Sequence, residues 1–326
     1  MMRTAFVVNR REALGAEQTT TLLIGAALRR GHDVLVLGVG DLSLGNDGKV
    51  LASGCEAREP KREALVRELA ASSSTMHSLD DYDLCVVRTN PGRDGARMSQ
   101  HVAALRLLER LVDRGGRVVN HPRGLSRAQT KLSLLEVPSD LRPRTLVTRD
   151  PGAIERFIAD EGGRAVIKPL EGSRGRDVFV LDAGGGQSNT KQIIDVVLRQ
   201  GYAVVQELVP GAEAGDVRVT VVDGEILEVD GRPAVVARVP PTGDFRSNLH
   251  VGGPPARASA TPELRAAVAE VRPVLLREGL RHVGIDFVGR CILELNVFSP
   301  GGLFPSETLY ERDFSTAVIE AFERPS

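Results

Sequence analysis

Only three cysteines, Cys55, Cys85 and Cys291, occur in 326 residues. They stand too far apart to make a disulfide framework or a metal knuckle, so the chain reads as one suited to a reducing cytosol. Long hydrophobic runs are missing as well. No stretch approaches the ~20 apolar residues of a membrane span, and the opening MMRTAFVVNRR holds too short an apolar run for a signal peptide. An excess of one charge is also missing: the formal net charge is −1, with 26% charged and 42% hydrophobic residues. That balance offers nothing to nucleic acid or a charged membrane surface. These absences predict a cytoplasmic protein without nucleic-acid or membrane partners and leave a homo-oligomer open. The length suits two or three compact units.

Several catalytic signatures are absent too. The six histidines show no i,i+4 pair and no HExxH, so none is assigned to a metal. No local pattern suggests a Ser-His-Asp or Cys-His nucleophile. GxxxxGK[ST] does not occur, and Gly38-Val39-Gly40 lacks the third glycine of a dinucleotide loop, so residues 38–48 read as a polar turn. Lysine is scarce: of 42 basic residues only Lys49, Lys61, Lys131, Lys168 and Lys191 are lysines. In so arginine-rich a chain, a lysine kept in apolar surroundings stands out, because the two cations differ in shape and hydration.

What is present begins with alternation. TAFVVN, HDVLVLGVG, DYDLCVVR and RVVN read as strands, separated by helical stretches at TTTLLIGAALRRG, 60–71 and SQHVAALRLLERLVDRGG. This predicts an α/β unit over residues 1–122. GLSRAQTKLSLLE then reads as a short helix, RPRTLVTR as a strand and PGAIERFIADEG as a helix. RAVIKPL and VFVLD flank a glycine turn and predict a hairpin, with a helix at TKQIIDVVLRQG. From Tyr202 onward VVQELV, DVRVTVVDGEILEV and PAVVARV predict an antiparallel sheet. The long loop 240–253 has the length of a lid. TPELRAAVAEVRPVLLREG predicts a helix, GIDFVG and CILELNV a strand pair, and ERDFSTAVIEAFER a closing helix. The expected units are 1–122, 123–200 and 201–326.

Chemistry concentrates in two places. Lys168 lies in AVIKPL, where an ammonium is costly to bury without an anion. Taken alone it reads sooner as an edge lysine reaching water or half of a salt bridge than as a ligand-binding group. EGSRGRD follows, with Gly172 and Gly175 in a turn whose amides can face a phosphate, and Lys131 lies some forty residues earlier. The second place is the GIDFVG–CILELNV pair. A hairpin would put Asp286, Glu294 and Asn296 on one face, with Leu293, Leu295 and Val297 behind. Three oxygen donors without His or Cys suit a hard cation, though a cross-strand polar cluster facing solvent, or Asn296 capping the turn before Ser299-Pro300, fits the same pattern. Arg218, Arg238 and Arg246 add anion-binding capacity or are surface charges.

The order of these pieces resembles the ATP-grasp superfamily, specifically the bacterial type of glutathione synthetase. The resemblance runs through RRGHDVLVLGVGDLSL, VVRTNPGRD, VVNHPRGL, AQTKLSLLE, VIKPLEGSRG, VVQELVPG, GDVRVTVVDGE, ARVPPTGDFRSNLHVGG, VGIDFVG and LELNVFSP. It implies an ATP-grasp fold behind a Rossmann-like N-terminal domain, and an ATP-dependent carboxylate–amine ligase working through an acyl-phosphate. It further implies that Lys131 and Lys168 hold ATP phosphates, with Gly172 and Gly175 in the phosphate loop. Gln206, Glu207 and Leu208 would meet adenine, and Asp216 would approach the ribose. Asp286, Glu294 and Asn296 would bind Mg²⁺, with Mn²⁺ an allowed substitute. Arg218 and Arg238 would steady the transferring phosphate, and Arg246 with Asn248 would close over the acceptor. An ATP-grasp ligase with a different peptide or amino-acid acceptor, a catalytically silent ATP-binding module and a small-molecule kinase are the alternatives. Two departures from the family pattern stand out: Arg174 in place of a glycine, and Ser299-Pro300-Gly301-Gly302 followed by LFPSE in place of Ser-Pro-Thr and an Arg-Glu pair.

Overall fold

The computed structural model describes residues 1–171, 177–182, 189–239 and 254–325. Gly172, Arg174, Gly175 and the loop 240–253 with Arg246 and Asn248 lie outside the described residues. The first layer contains β1 (Arg3–Val8), α1 (Thr19–Arg29), β2 (Asp33–Gly38), β3 (Leu42–Leu44), β4 (Val50–Ala57), α2 (Arg62–Ala71), β5 (Thr75–Ser78), β6 (Leu84–Arg88), α3 (Met98–Asp113) and β7 (Val118–Val119). Its apolar runs are buried on both faces, as parallel strands covered by helices must be. Strands β2, β1, β6 and β7 are parallel neighbours, and β4 adds to β2 antiparallel, with β3 and β5 paired to β4. Strands β3, β4 and β5 are not foreseen by pattern. LASGCEA alternates weakly, and the polar turn expected over 38–48 contains β3. Gly54 in β4 is a packing requirement, since a Cβ there would lie 2.6 Å from Leu35 of β2.

α4 (Pro122–Arg127) packs against α3 of the first layer, and the second group contains β8 (Thr145–Thr148), α5 (Pro151–Asp160), β9 (Arg164–Pro169), β10 (Phe179–Asp182), α6 (Thr190–Leu198) and β11 (Ala203–Glu207). Its sheet has the order β10-β9-β11-β8, antiparallel throughout. Ile154, Ile158, Ile167, Ile194 and Val205 form its core. Two expectations change here. VVQE does not open the C-terminal sheet; as β11 it pairs with β8 and β9. The helix expected over GLSRAQTKLSLLE is broken. α4 stops at Arg127, and Lys131–Glu136 forms a separate 3₁₀ turn capped by Thr130 Oγ1, which accepts from the Leu132 amide.

The third group contains β12 (Asp216–Val222), β13 (Glu225–Ile226), β14 (Glu228–Val229), β15 (Arg232–Pro233), β16 (Val235–Arg238), β17 (Ala256–Arg257), α7 (Pro262–Arg277), β18 (His282–Val288), β19 (Cys291–Asn296), α8 (Leu303–Tyr310) and α9 (Phe314–Glu323). The sheet order is β17-β16-β12-β18-β19, antiparallel, with β13 on β12. Thr261 Oγ1 caps α7 by accepting from the Leu264 amide, and Leu264, Ala267, Val268, Val271 and Leu275 turn one face into the core. Val219, Val221, Val283 and Ile285 meet that face. Alternate residues of the same strands point the other way, and those carry the charge.

A polar seam ties this sheet to the first one. Asn120 Nδ2 donates to the carbonyls of His282 (2.8 Å) and Val297 (3.1 Å), and its Oδ1 accepts from the His282 amide at 2.8 Å. Among the described residues no helix is long and apolar enough to cross a membrane.

Candidate active site

The three larger sheets all face one cavity of ≈ 550 Å³. The register of the third sheet explains its charged wall. Asp216 stands opposite Arg238 across β12–β16, Arg218 opposite Asp286 across β12–β18, and Asp286 opposite Glu294 across β18–β19. Cross-strand partners share a face, so these five side chains form a row. Arg238 donates from Nη2 to Asp216 Oδ2 at 2.7 Å and to Asp286 Oδ2 at 2.8 Å. Arg218 forks onto both oxygens of Asp286, with Nη2 to Oδ2 at 2.7 Å and the Nε–Oδ1 contact tighter still. Asn296 Nδ2 adds a bond to Asp286 Oδ2 at 3.2 Å. Buried carboxylates survive only when charges and donors meet them, and here two acids alternate with two guanidiniums. Burial alone would raise the Asp286 pKa, but Arg218 and Arg238 outweigh it and hold the group down at about 2.

Glu294 is exposed at the cavity, and its carboxylate makes no hydrogen bond or ion pair among the described residues. It is the acid facing the two lysines. Lys168, on β9, has its pKa lowered by burial, partly offset by Glu294. Lys131 is lowered to about 8, by burial first and then by Lys168, with Glu294 and Glu171 opposing. Its Nζ donates to the Pro169 carbonyl at 2.8 Å, which draws the 3₁₀ turn against the end of β9. Two buried ammonium groups, one close enough to lower the other, make a site for anions. The sequence-predicted Lys131, Lys168, Asp216, Arg218, Arg238, Asp286, Glu294 and Asn296 are therefore brought together. Gln206, Glu207 and Leu208 line the same cavity, with Gln206 Nε2 donating to Thr145 Oγ1 at 3.0 Å.

One placement differs from expectation. Between Asp286 and Phe287 the register of β18–β19 slips, so that Phe287 pairs with Ile292 and Leu293 is the extra residue. This bulge puts Ile292 in the core with Val297, while Leu293 turns into the cavity beside Glu294. Leu293 with Val166, Val178 and Val180 gives that end of the cavity an apolar lining next to Gln206–Leu208.

Sequence reasoning missed the opposite end. Arg88 closes β6, and Thr19 and Thr20 open α1, all at the C-terminal edge of the parallel strands, where open α/β sheets place ligands. A charged residue ending the apolar run LCVV was the available signal. Ser299, Pro300, Gly301 and Gly302 join them, and Phe304 and Pro305 of α8 line the cavity behind. The thiols take no part. Burial raises Cys85 to about 12, and burial with Glu207 raises Cys291 to about 11.

Comparison with known proteins agrees with this layout. Residues 2–126 match the family model described as prokaryotic glutathione synthetase, N-terminal domain, and residues 130–310 match prokaryotic glutathione synthetase, ATP-grasp domain. A glutathione synthetase of Vibrio parahaemolyticus is 32% identical, covering 91% of this chain and 90% of its own. One of Synechococcus elongatus is 31% identical, covering 99% and 98%. Among solved structures, the D-cycloserine synthetase DcsG superposes with a TM-score of 0.65 at 17% identity over 98% of both chains. The ATP-grasp ligase PsnB does so at 0.65 and 19%, again over 98% of both. At such identity the structural likeness speaks for the fold, an ATP-grasp fold.

Proposed function

We propose that this chain, which belongs to the prokaryotic glutathione synthetase family, joins the cysteinyl carboxylate of γ-glutamylcysteine to the amine of glycine at the expense of ATP. The observation that carries the reading is the convergence of two lysines, an exposed carboxylate and a buried Asp–Arg row on a single cavity. ATP's γ-phosphoryl passes to a carboxylate oxygen and ADP leaves. The amine nitrogen then attacks the acyl carbon, loses a proton and displaces phosphate. Phosphoryl transfer is chiefly positioning and charge neutralisation, which is what a cationic, preorganised wall supplies.

The residues divide the work by position. The apolar end at Leu293 and Val180 receives adenine, whose edge meets the backbone of Gln206, Glu207 and Leu208. Asp216 borders the ribose and fixes Arg238. Lys131 and Lys168 hold the phosphates, with Gly172 and Gly175 as the covering turn. Arg218 and Arg238 face the transferring phosphoryl, rigidly aimed because Asp286 holds both. Arg246 and Asn248 on the loop 240–253 exclude water from the acyl-phosphate. The site lies where the three groups of elements meet, with β11 counted in the second.

The donor set fits a hard divalent cation, Mg²⁺ or Mn²⁺. Asp286 and Glu294 face each other across one register pair, with the Asn296 amide beside them. Among the described residues no group of three His, Cys, Asp or Glu forms a complete cage. Such a cation draws its other ligands from phosphate and water. When bound, it neutralises charge on the phosphate chain. Asp286 is already shared between two guanidiniums, so Glu294 is the carboxylate free to turn toward the cation.

Initial-rate measurements of ADP release test this reading. Release should require γ-glutamylcysteine and glycine together. ADP formed with the acid alone would point to a kinase, and ATP binding without turnover would point to a silent module.

A further inference from the structure

After β19 the chain lines the cavity without a hydrogen-bond ladder of its own. Its carbonyls are held instead by side chains from elsewhere: Val297 by Asn120 Nδ2 at 3.1 Å, Phe298 by Asn90 Nδ2 at 3.4 Å, Pro300 by Arg88 Nη2 at 2.9 Å and Gly301 by Arg218 Nη1 at 3.4 Å. Ser299 and Gly302, with φ of 46° and 124°, bend the segment at either end. The shape of this wall therefore depends on where those side chains are aimed. The shortest of the four bonds comes from Arg88.

What aims Arg88 is a histidine. The guanidinium is buried, and besides Pro300 it meets two neutral groups: Nε donates to Thr20 Oγ1 at 3.3 Å, and Nη1 lies 3.4 Å from His282 Nδ1. A guanidinium carries donors only, so His282 Nδ1 is the bare nitrogen and the imidazole proton sits on Nε2. Burial, and then Arg88, push the His282 pKa well below its usual value, so the ring stays neutral and keeps that lone pair. A protonated ring, or the other tautomer, would set N–H against N–H.

The fold does not need the imidazole nitrogen. Asn120 fixes the backbone of His282 on both sides, Oδ1 accepting its N–H and Nδ2 donating to its carbonyl, each at 2.8 Å. Those bonds are independent of the side chain at 282. The ring also packs at a tilt on Phe322, with centroids 6.1 Å apart, a contact that an apolar side chain would keep in part. The acceptor nitrogen supplies one thing more, the third anchor on Arg88.

We infer that His282 is a positioning residue for the reaction: its neutral imidazole fixes the Arg88 guanidinium, and through it the Ser299–Gly302 segment, in the shape the acid substrate meets. The inference rests on the ligase reading, in which ATP takes the end of the cavity at Gln206–Leu208 and the two lysines and leaves the acid the end that Arg88 closes. A buried N–H that loses its acceptor must turn away or draw in water, and the wall it holds shifts with it.

The test uses His282→Leu, which removes the acceptor and keeps an apolar side chain, and His282→Asn, whose Oδ1 can stand where Nδ1 stood. Initial rates of ADP release are measured with γ-glutamylcysteine and glycine. In His282→Leu, kcat/KM for the acid should fall about tenfold, the worth of one hydrogen bond to a charged donor, with KM for ATP unchanged. His282→Asn should recover most of the loss. Melting of both variants is measured alongside, because a merely structural role would impair acid and ATP together and in step with melting. Nitrogen NMR of the wild-type imidazole reads the tautomer without any turnover and should find Nδ1 unprotonated at neutral pH. A proton on Nδ1, undiminished turnover in His282→Leu, parallel losses for acid and ATP, or equal losses in both variants overturns the positioning role and leaves the ligase reading standing. A wild type that releases no ADP with both substrates present brings down the ligase reading, and the positioning role with it.

Discussion

Asp286 and Glu294 face each other across one register pair, yet their surroundings assign them different duties. Asp286 is 3% exposed and bonded on both oxygens, whereas Glu294 is exposed and faces Lys131 and Lys168. Replacing Asp286 by Ala strands Arg218 without an ion pair and should cost ~3–5 kcal/mol of stability, measurable by urea denaturation, together with activity. Glu294→Gln should unfold at the wild-type midpoint but lose at least about tenfold in Mg²⁺-dependent turnover, since even outer-shell metal partners are worth that much. Near-normal turnover in Glu294→Gln would sink its assignment to the metal. The depressed Asp286 pKa fixes the sign of an acid effect. Its contribution is complete above the unfolded carboxylate value, and is lost as pH falls from there toward about 2. Lys131 gives the opposite kind of signal. With its pKa lowered to about 8, it loses its proton above that pH, so ATP binding must take a proton up. The Kd for ATP should therefore rise from pH 7 to pH 9. Lys131→Arg, charged throughout, should show a shallower rise over the same range, with only Lys168 left to titrate, and a parallel rise in that variant would refute the assignment.

At the scale of the element, β19 shows what pattern can reach and where it stops. The alternation of CILELNV correctly places Glu294 and Asn296 on the face of Asp286, because side chains of period two must do so when the strands pair in register. It fails one residue earlier. A bulge adds a residue without changing composition, so nothing in the apolar run Ile292-Leu293 tells which one is buried. The structure assigns Ile292 to the core at 0% exposure and Leu293 to the cavity. Ile292→Ala should then cost ~2–5 kcal/mol in denaturation. Leu293→Ala should leave stability nearly unchanged and raise the KM for ATP several-fold; the reverse ranking would mean the bulge is misplaced. Pattern also failed at β4, where Gly54 is needed for close approach to Leu35, and at β11, whose apolar sequence suits either antiparallel sheet. In each case the deciding partner lies far along the chain. Arg88 was missed for the same reason: its meaning depends on Pro300 and Thr20, which no local window contains.

At the scale of the molecule, the cavity exists only because the first and third sheets are held edge to end. Apolar residues of both groups, such as Val7 with Ile285 and Phe6 with Phe322, share core clusters; a polar seam through Asn120, His282 and Val297 and a close approach at one glycine add to that join. Gly124 in α4 sits so close to the turn after α7 that a Cβ would lie 2.0 Å from the Glu278 carbonyl and 3.3 Å from Leu280. The clash is with backbone and cannot be relieved by a rotamer change. Next to it, His121 N–H donates to the Gly279 carbonyl at 3.0 Å, so a displacement of α4 also strains the segment leading to Asn120. Gly124→Ala should therefore force the two sheets apart, costing ~1–3 kcal/mol in stability by the ordinary penalty of overpacking. Because Arg88 comes from the first sheet and Arg218 from the third, kcat/KM for the acid substrate should fall further than the affinity for ATP, whose contacts lie in the second and third. Gly95→Ala is the matched control: its Cβ would meet nothing within 4 Å, and it should alter neither quantity. Equal losses for acid and ATP in Gly124→Ala would show that the whole fold had loosened, and would argue against a site assembled by docking one sheet onto the other.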